Sequence, residues 1–129
     1  MSGADDNLLR LFALRGATSV EANTEPAILE GTRELVREIM ARNDLAPEQM
    51  VSCLFSATTD LNAQFPAVAA RDLGLGRVPL LCTQEIDVPG ALPRTIRVLL
   101  HYYAPEGHAP QHVYLREARG LRADLESAQ

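Results

Sequence analysis

At 129 residues with an apolar fraction of 47%, the chain is sized for one domain with one core, and no apolar run approaches the roughly 18 residues of a membrane helix. A net charge of −5 argues against nucleic acid as a partner, because phosphate neutralisation needs a clustered basic surface. All 12 basic residues are arginine, which excludes a Schiff-base or P-loop lysine, so any anion must be held by guanidinium groups or backbone amides.

Residues 1–7 are polar and acidic, without the basic start and apolar stretch of a secretory signal, and are expected to be a loose tail. Cytoplasmic residence follows by default. The folded domain is expected over 8–125, with a second tail at 126–129. Cys53 and Cys82 each lie in an apolar, strand-like run without metal-ligand spacing, which speaks against a structural disulfide or a zinc site.

Leu8 to Leu14 reads as a first strand closed by a turn at Arg15-Gly16. From Thr24 the period becomes helical, with Ile28, Leu35 and Ile39 on one stripe and Leu29, Val36 and Met40 beside it. Thr24 suits the N-cap, Glu25 and Pro26 the first turn, Asn43 the end, and Glu38 with Arg42 an exposed pair. After the connection at 46–49, Met50 to Ala57 predicts a second strand carrying Val51, Cys53 and Phe55. The segment 58–65 is a polar loop with Asp60 and Asn62, and Pro66 opens a short helix through Leu73, closed by Gly74. Val78 to Gln84, Thr95 to Tyr103 and His112 to Leu115 are three further strands.

This order predicts an α+β domain: a five-stranded mixed sheet with one long and one short helix on one face. Two helices cover only one side, so the other is expected to meet another subunit.

Gly74-Leu-Gly76 is too short for a dinucleotide fingerprint and reads as helix termination. His101, His108 and His112 lack metal-ligand regularity and read as surface or loop residues. Glu85 and Asp87 follow the third strand, either as a solvated pair or as acceptors for a ligand hydroxyl. Arg97 is the odder residue, because it lies inside an apolar strand where a charge is expensive unless paired. Alternation puts it on one face with Leu99 and His101, opposite Ile96, Val98 and Leu100. An edge salt bridge and an arginine-lined site for a small anion explain it equally well.

Six stretches carry more: Arg15-Gly16-Ala17-Thr18, Ser56-Ala57-Thr58-Thr59-Asp60-Leu61, Phe65-Pro66-Ala67, Val78 to Val88 with Cys82-Thr83-Gln84-Glu85 inside it, Ile96-Arg97-Val98, and His112-Val113-Tyr114-Leu115. In order and at similar spacing, from Phe12 to Leu125, they resemble the trimeric chorismate mutases of the Bacillus type. The resemblance implies a homotrimer forming a pseudo-α/β-barrel with active sites in the subunit clefts. It further implies the rearrangement of chorismate to prephenate in the biosynthesis of phenylalanine and tyrosine, with no cofactor and no metal.

By match to that family, Arg97 would stabilise charge on the ether oxygen, Glu85 would accept from the ring hydroxyl and orient Arg97, and the Cys82 region would line the same wall. Arg15 and Tyr114 would hold the side-chain carboxylate, Phe65 would pack on the substrate, and Leu81 and Leu121 would contact it. Val68 stands where the family often has lysine, and Leu81 where it has threonine. Capture of the ring carboxylate then passes to Arg71, Arg122 or backbone amides. The competing reading is a non-catalytic trimeric module that binds a small carboxylate.

Overall fold

The computed structural model describes residues 8–121. The first strand, β1 (Leu9–Ser19), buries Phe12 and Leu14 by simple alternation. It does not stop at Arg15-Gly16 as expected but runs through them to Ser19. Gly16 is there for proximity rather than for a turn: a Cβ on it would lie 3.0 Å from Ile39 Cδ1, 3.1 Å from the Val113 carbonyl and 3.1 Å from Val98 Cγ1. The long helix crosses the strand at that point, and a side chain would force them apart.

That helix, α1 (Glu25–Asn43), begins as predicted, with Thr24 Oγ1 accepting from the Ala27 amide at 3.2 Å and Pro26 in the first turn. Its apolar stripe of Ile28, Leu35 and Ile39 is almost fully buried, and each such side chain contributes about 1.5–3 kcal/mol of transfer free energy. Arg42 and Glu38 pair at 3.0 Å on the outer face. The end differs from expectation: Asp44 takes the left-handed capping position, while Asn43 is buried and clasps the backbone of Gln111, its Nδ2 donating to the carbonyl and its Oδ1 accepting from the amide.

A 3₁₀ turn, Pro47–Gln49, leads into β2 (Met50–Ala57). A bulge between Met50 and Ser52 puts Met50, Cys53 and Phe55 inward and turns Val51 out to solvent, against the expected alternation. The short helix α2 (Pro66–Ala70) widens into a last turn, Arg71–Leu75, ended by Gly74 at φ 98°. β3 (Leu80–Gln84) starts two residues later than expected. β4 (Thr95–Pro105) runs two residues longer, and β5 is reduced to Val113–Tyr114.

The sheet has the order β3-β2-β4-β1-β5, with β4 antiparallel to both its neighbours and the two edge strands parallel to theirs. It is the expected five-stranded mixed sheet of an α+β domain, with both helices on one face. The core lies between that face and the helices, built on Leu14, Phe55, Ile96, Leu100, Tyr102 and Val113. The opposite face carries no helix, and Leu11, Leu81, Leu99 and Tyr103 stand between 37% and 57% exposed on it. No helix among the described residues is long and apolar enough to cross a membrane.

Candidate active site

Register decides which candidate residues meet. Arg97 pairs with Ala17 on one side and Ser56 on the other, Ala17 pairs with Tyr114, and Ser56 pairs with Thr83. These five form one row across all five strands, and paired residues point to the same face. At about 4.8 Å per strand, Tyr114 and Arg97 sit roughly 10 Å apart at the backbone. The neighbouring row contains Arg15, Leu99, Leu54 and Leu81. Arg15, Leu81, Arg97 and Tyr114 therefore share the open face.

Glu85 joins them from just beyond β3. Its amide donates to the Ala57 carbonyl at 2.9 Å, which keeps the chain beside β2 for one more residue. Its carboxylate Oε1 lies 2.7 Å from Arg97 Nε, with the two side chains 29% and 39% exposed. Arg97 Nε is buried and makes no aligned hydrogen bond despite this short distance. The contact is an ion pair held by charge and by the placement of the two backbones. With Nε covered, the exposure of Arg97 belongs to other atoms of its side chain.

Cys82 and Phe65 belong to a second wall. Cys82 pairs with Phe55 and packs on the core, so strand alternation sends it to the helix side, away from Leu81 and Thr83. At the end of β3 it lines, with Thr83, Gln84, Ala57, Leu61, Phe65 and Pro66, a cleft of about 400 Å³ that Thr83 enters from the Arg97 row. The volume suits a small organic molecule. Phe65 stands 66% exposed at its rim. Next to Cys82, burial pushes the Cys53 thiol up to about 12, with Cys82 adding to the shift. Arg71 is exposed in the wide turn after α2, Leu121 is half-buried, and Arg122 lies outside the described residues.

The loop that carries Phe65 is held by a residue that sequence reasoning missed. Asn23 Oδ1 accepts from the amides of Asn62 and Ala63 at 2.9 and 3.0 Å, and its Nδ2 donates to Asn62 Oδ1 at 2.8 Å. The histidines are all engaged. His101 Nδ1 meets Ser52 Oγ at 3.0 Å, His108 Nε2 meets Tyr102 Oη at 2.7 Å, and His112 Nδ1 accepts from the Arg15 amide at 2.9 Å. Among the described residues no three His, Cys, Asp or Glu side chains are grouped to hold a metal ion.

What this arrangement can do chemically is bind an anion and stabilise negative charge, through Arg97 and Arg15 with a phenol at Tyr114. None of these groups is an activated nucleophile.

Known proteins share both the sequence and the fold. The family model described as chorismate mutase type I matches residues 11–125. The chorismate mutase AroH of Thermus thermophilus is 48% identical over 119 residues, covering 90% of this chain and 97% of that protein. The chorismate mutase AroH of Bacillus subtilis (strain 168) is 45% identical over 122 residues, covering 91% and 94%. The solved structure of a chorismate mutase from Clostridium thermocellum superposes with a TM-score of 0.80 at 40% identity, covering 84% of this chain and 98% of that one. The chain belongs to the type I chorismate mutase family, and with it to the isomerases.

Proposed function

We propose that this chain converts chorismate to prephenate, acting as a cytoplasmic homotrimer in aromatic amino-acid biosynthesis. Within one molecule the ether C–O bond breaks while a C–C bond forms, so no group or proton has to be transferred. Two tasks are left to the protein: to hold the compact conformer in which the reacting carbons approach, and to stabilise the charge that grows on the ether oxygen.

Arg97 takes the second task, since its interaction strengthens as the bond breaks and therefore lowers the barrier rather than only aiding binding. Glu85 keeps the guanidinium in place and accepts from the ring hydroxyl. Arg15 and Tyr114 grip the side-chain carboxylate from the same face. Phe65 packs on the ring, Cys82 and the backbone from Leu81 to Glu85 line the pocket, and Leu81 and Leu121 contact the substrate. In the absence of lysine, the ring carboxylate falls to Arg71, Arg122 or backbone amides.

The observation that carries this reading is the Glu85–Arg97 pair at 2.7 Å on a sheet face that no helix covers. The uncovered apolar face also supports the trimer: a second copy laid across it would enclose Arg15, Arg97 and Tyr114. The test is direct. Purified protein in buffer without metal or cofactor is expected to deplete chorismate's ultraviolet absorbance and to yield prephenate as the sole product by chromatography. Depletion at the uncatalysed rate ends the proposal, and binding of prephenate without turnover would favour the carboxylate-binding module instead.

A further inference from the structure

Just past β2 the chain turns back and grips the start of β4. The Thr58 amide donates to the Thr95 carbonyl at 3.0 Å, and the Thr95 amide donates to Thr58 Oγ1 at 3.0 Å. Thr58 Oγ1 donates in turn to the Asp60 carboxylate, whose two oxygens both face the Arg94 amide, at 2.9 and 3.2 Å. Arg94 needs such a partner. It holds a left-handed φ of 46°, unfavourable for a residue with a Cβ, and such a conformation persists only where the surroundings over-determine it. Arg94 also ties in β1, because its Nε donates to the Val20 carbonyl at 3.1 Å and its carbonyl accepts from the Val20 amide at 2.9 Å.

Both members of the ion pair hang on this bracket. Arg97 follows Thr95 by two residues, and Glu85 is bonded to the carbonyl of Ala57, the residue before Thr58. The pair is a 2.7 Å contact between side chains on two strands that are not neighbours, so it forms only where both backbones are held in place. The Thr58–Asp60 bracket joins those two backbones at the sheet end nearest the pair.

We propose that Asp60 is a positioning residue for the reaction, holding Arg94 and Thr95 so that Arg97 meets the breaking ether at the required angle. The inference rests on the functional reading above and deepens it, since Asp60 acts through Arg97 and not on the substrate itself.

The test is a double-mutant cycle read in kcat and in prephenate affinity. Asp60→Ala is expected to lower kcat about tenfold or more, as a small misplacement of a catalytic group does, with prephenate affinity kept within about twofold. Asp60→Asn, whose amide oxygen still accepts from Arg94, is expected to recover part of the loss, and it carries the comparison if the alanine variant does not fold. In a Glu85→Gln background, where the pair is already cut, the further loss should fall below about twofold. Equal losses in both backgrounds, or parallel losses of kcat and affinity, overturn the proposal. The ¹⁵N resonance of Arg97 Nε, identified by its absence in Arg97→Lys, gives a reading independent of turnover. It is expected to move in the Asp60 variants toward its position in Glu85→Gln, and an unmoved resonance rejects the proposal. A wild-type protein without mutase activity sinks the functional reading alone, because the resonance still reports whether Asp60 governs the pair.

Discussion

Glu85 reaches across the end of β2 to Arg97, since β3, which precedes Glu85, and β4, which carries Arg97, are not neighbours in the sheet. The pair thus spans two strand spacings, roughly 9.6 Å at the backbone. Truncating Arg97 to alanine removes the charge opposite the ether oxygen while leaving Arg15 and Tyr114 to hold a carboxylate. Loss of one preorganised donor of this kind costs about 10²–10³ in kcat, so Arg97→Ala is expected to lose at least that much. Calorimetric affinity for prephenate should fall far less, and equal losses in both would make Arg97 a uniform binding group.

The open face makes the second prediction. Leu11 is 49% exposed there, beside Tyr103 and two rows from Arg15, and its replacement by lysine touches nothing in the core. Wild-type protein is expected to scatter light as a particle of three times the 14.1 kDa chain mass. Leu11→Lys should appear at the mass of one chain, keep its circular dichroism, and lose turnover because burying an unpaired charge between subunits is costly. An active monomer would contradict interfacial sites.

Much of this was legible in the chain because short-range rules governed it. Thr24, Pro26 and the Ile28–Leu35–Ile39 stripe fixed the long helix, and the alternation around Arg97 correctly put it on the face of Leu99 and His101. Gly16 misled for a physical reason: glycine marks both turns and close approaches, and only the packed Ile39 tells them apart. Val51 misled because a bulge shifts alternation by one residue without a residue signature. The partner of Arg97 stayed open between an edge salt bridge and an anion site, since sheet order is a long-range property. The Thr58-x-Asp60 pattern was visible as a polar loop, but its grip on Arg94 depends on a residue 34 positions away.

Asn23 gives a prediction separate from the charge machinery. Its side chain makes three hydrogen bonds to Asn62 and Ala63, and each is worth about 0.5–1.5 kcal/mol net at most, less where solvent competes. Asn23→Ala should cost stability on the order of 1 kcal/mol in urea denaturation and loosen the loop that presents Phe65. Steady-state kinetics are then expected to show KM raised severalfold with kcat nearly kept. A fall in kcat at unchanged KM would show that the loop acts on the rearrangement rather than on capture.

Acid should expose the Asp60 bracket. Burial works against ionisation there, but the hydrogen bonds from Thr58 and Arg94 outweigh it and hold the carboxyl below the usual aspartate range. A depressed native pKa stabilises the fold fully above the unfolded value of about 3.9, and that contribution disappears as pH falls through the lower native value. The melting-temperature gap between wild type and Asp60→Asn should therefore be constant from neutral pH to about pH 5 and close below about pH 4. A gap that widens on acidification would mean that the native carboxyl is protonated more readily than the unfolded one.

The cysteines offer a chemical readout of the cleft. Cys53 is buried with its thiol pushed up to about 12, so it stays neutral and shielded at any working pH, whereas Cys82 is partly exposed on the cleft wall beside Phe65. Thiolate character and access together decide alkylation. Native protein is expected to take up one equivalent of iodoacetamide, located at Cys82 by peptide mass spectrometry, and a second only after unfolding. Because the added amide fills space the substrate needs, the modified enzyme should show a raised KM, and prephenate should slow the labelling. Cys82→Ser should resist the reagent and keep its kinetics in its presence. Labelling of Cys53 in the folded protein, or full activity after stoichiometric modification of Cys82, would show that this cleft is not part of the substrate pocket.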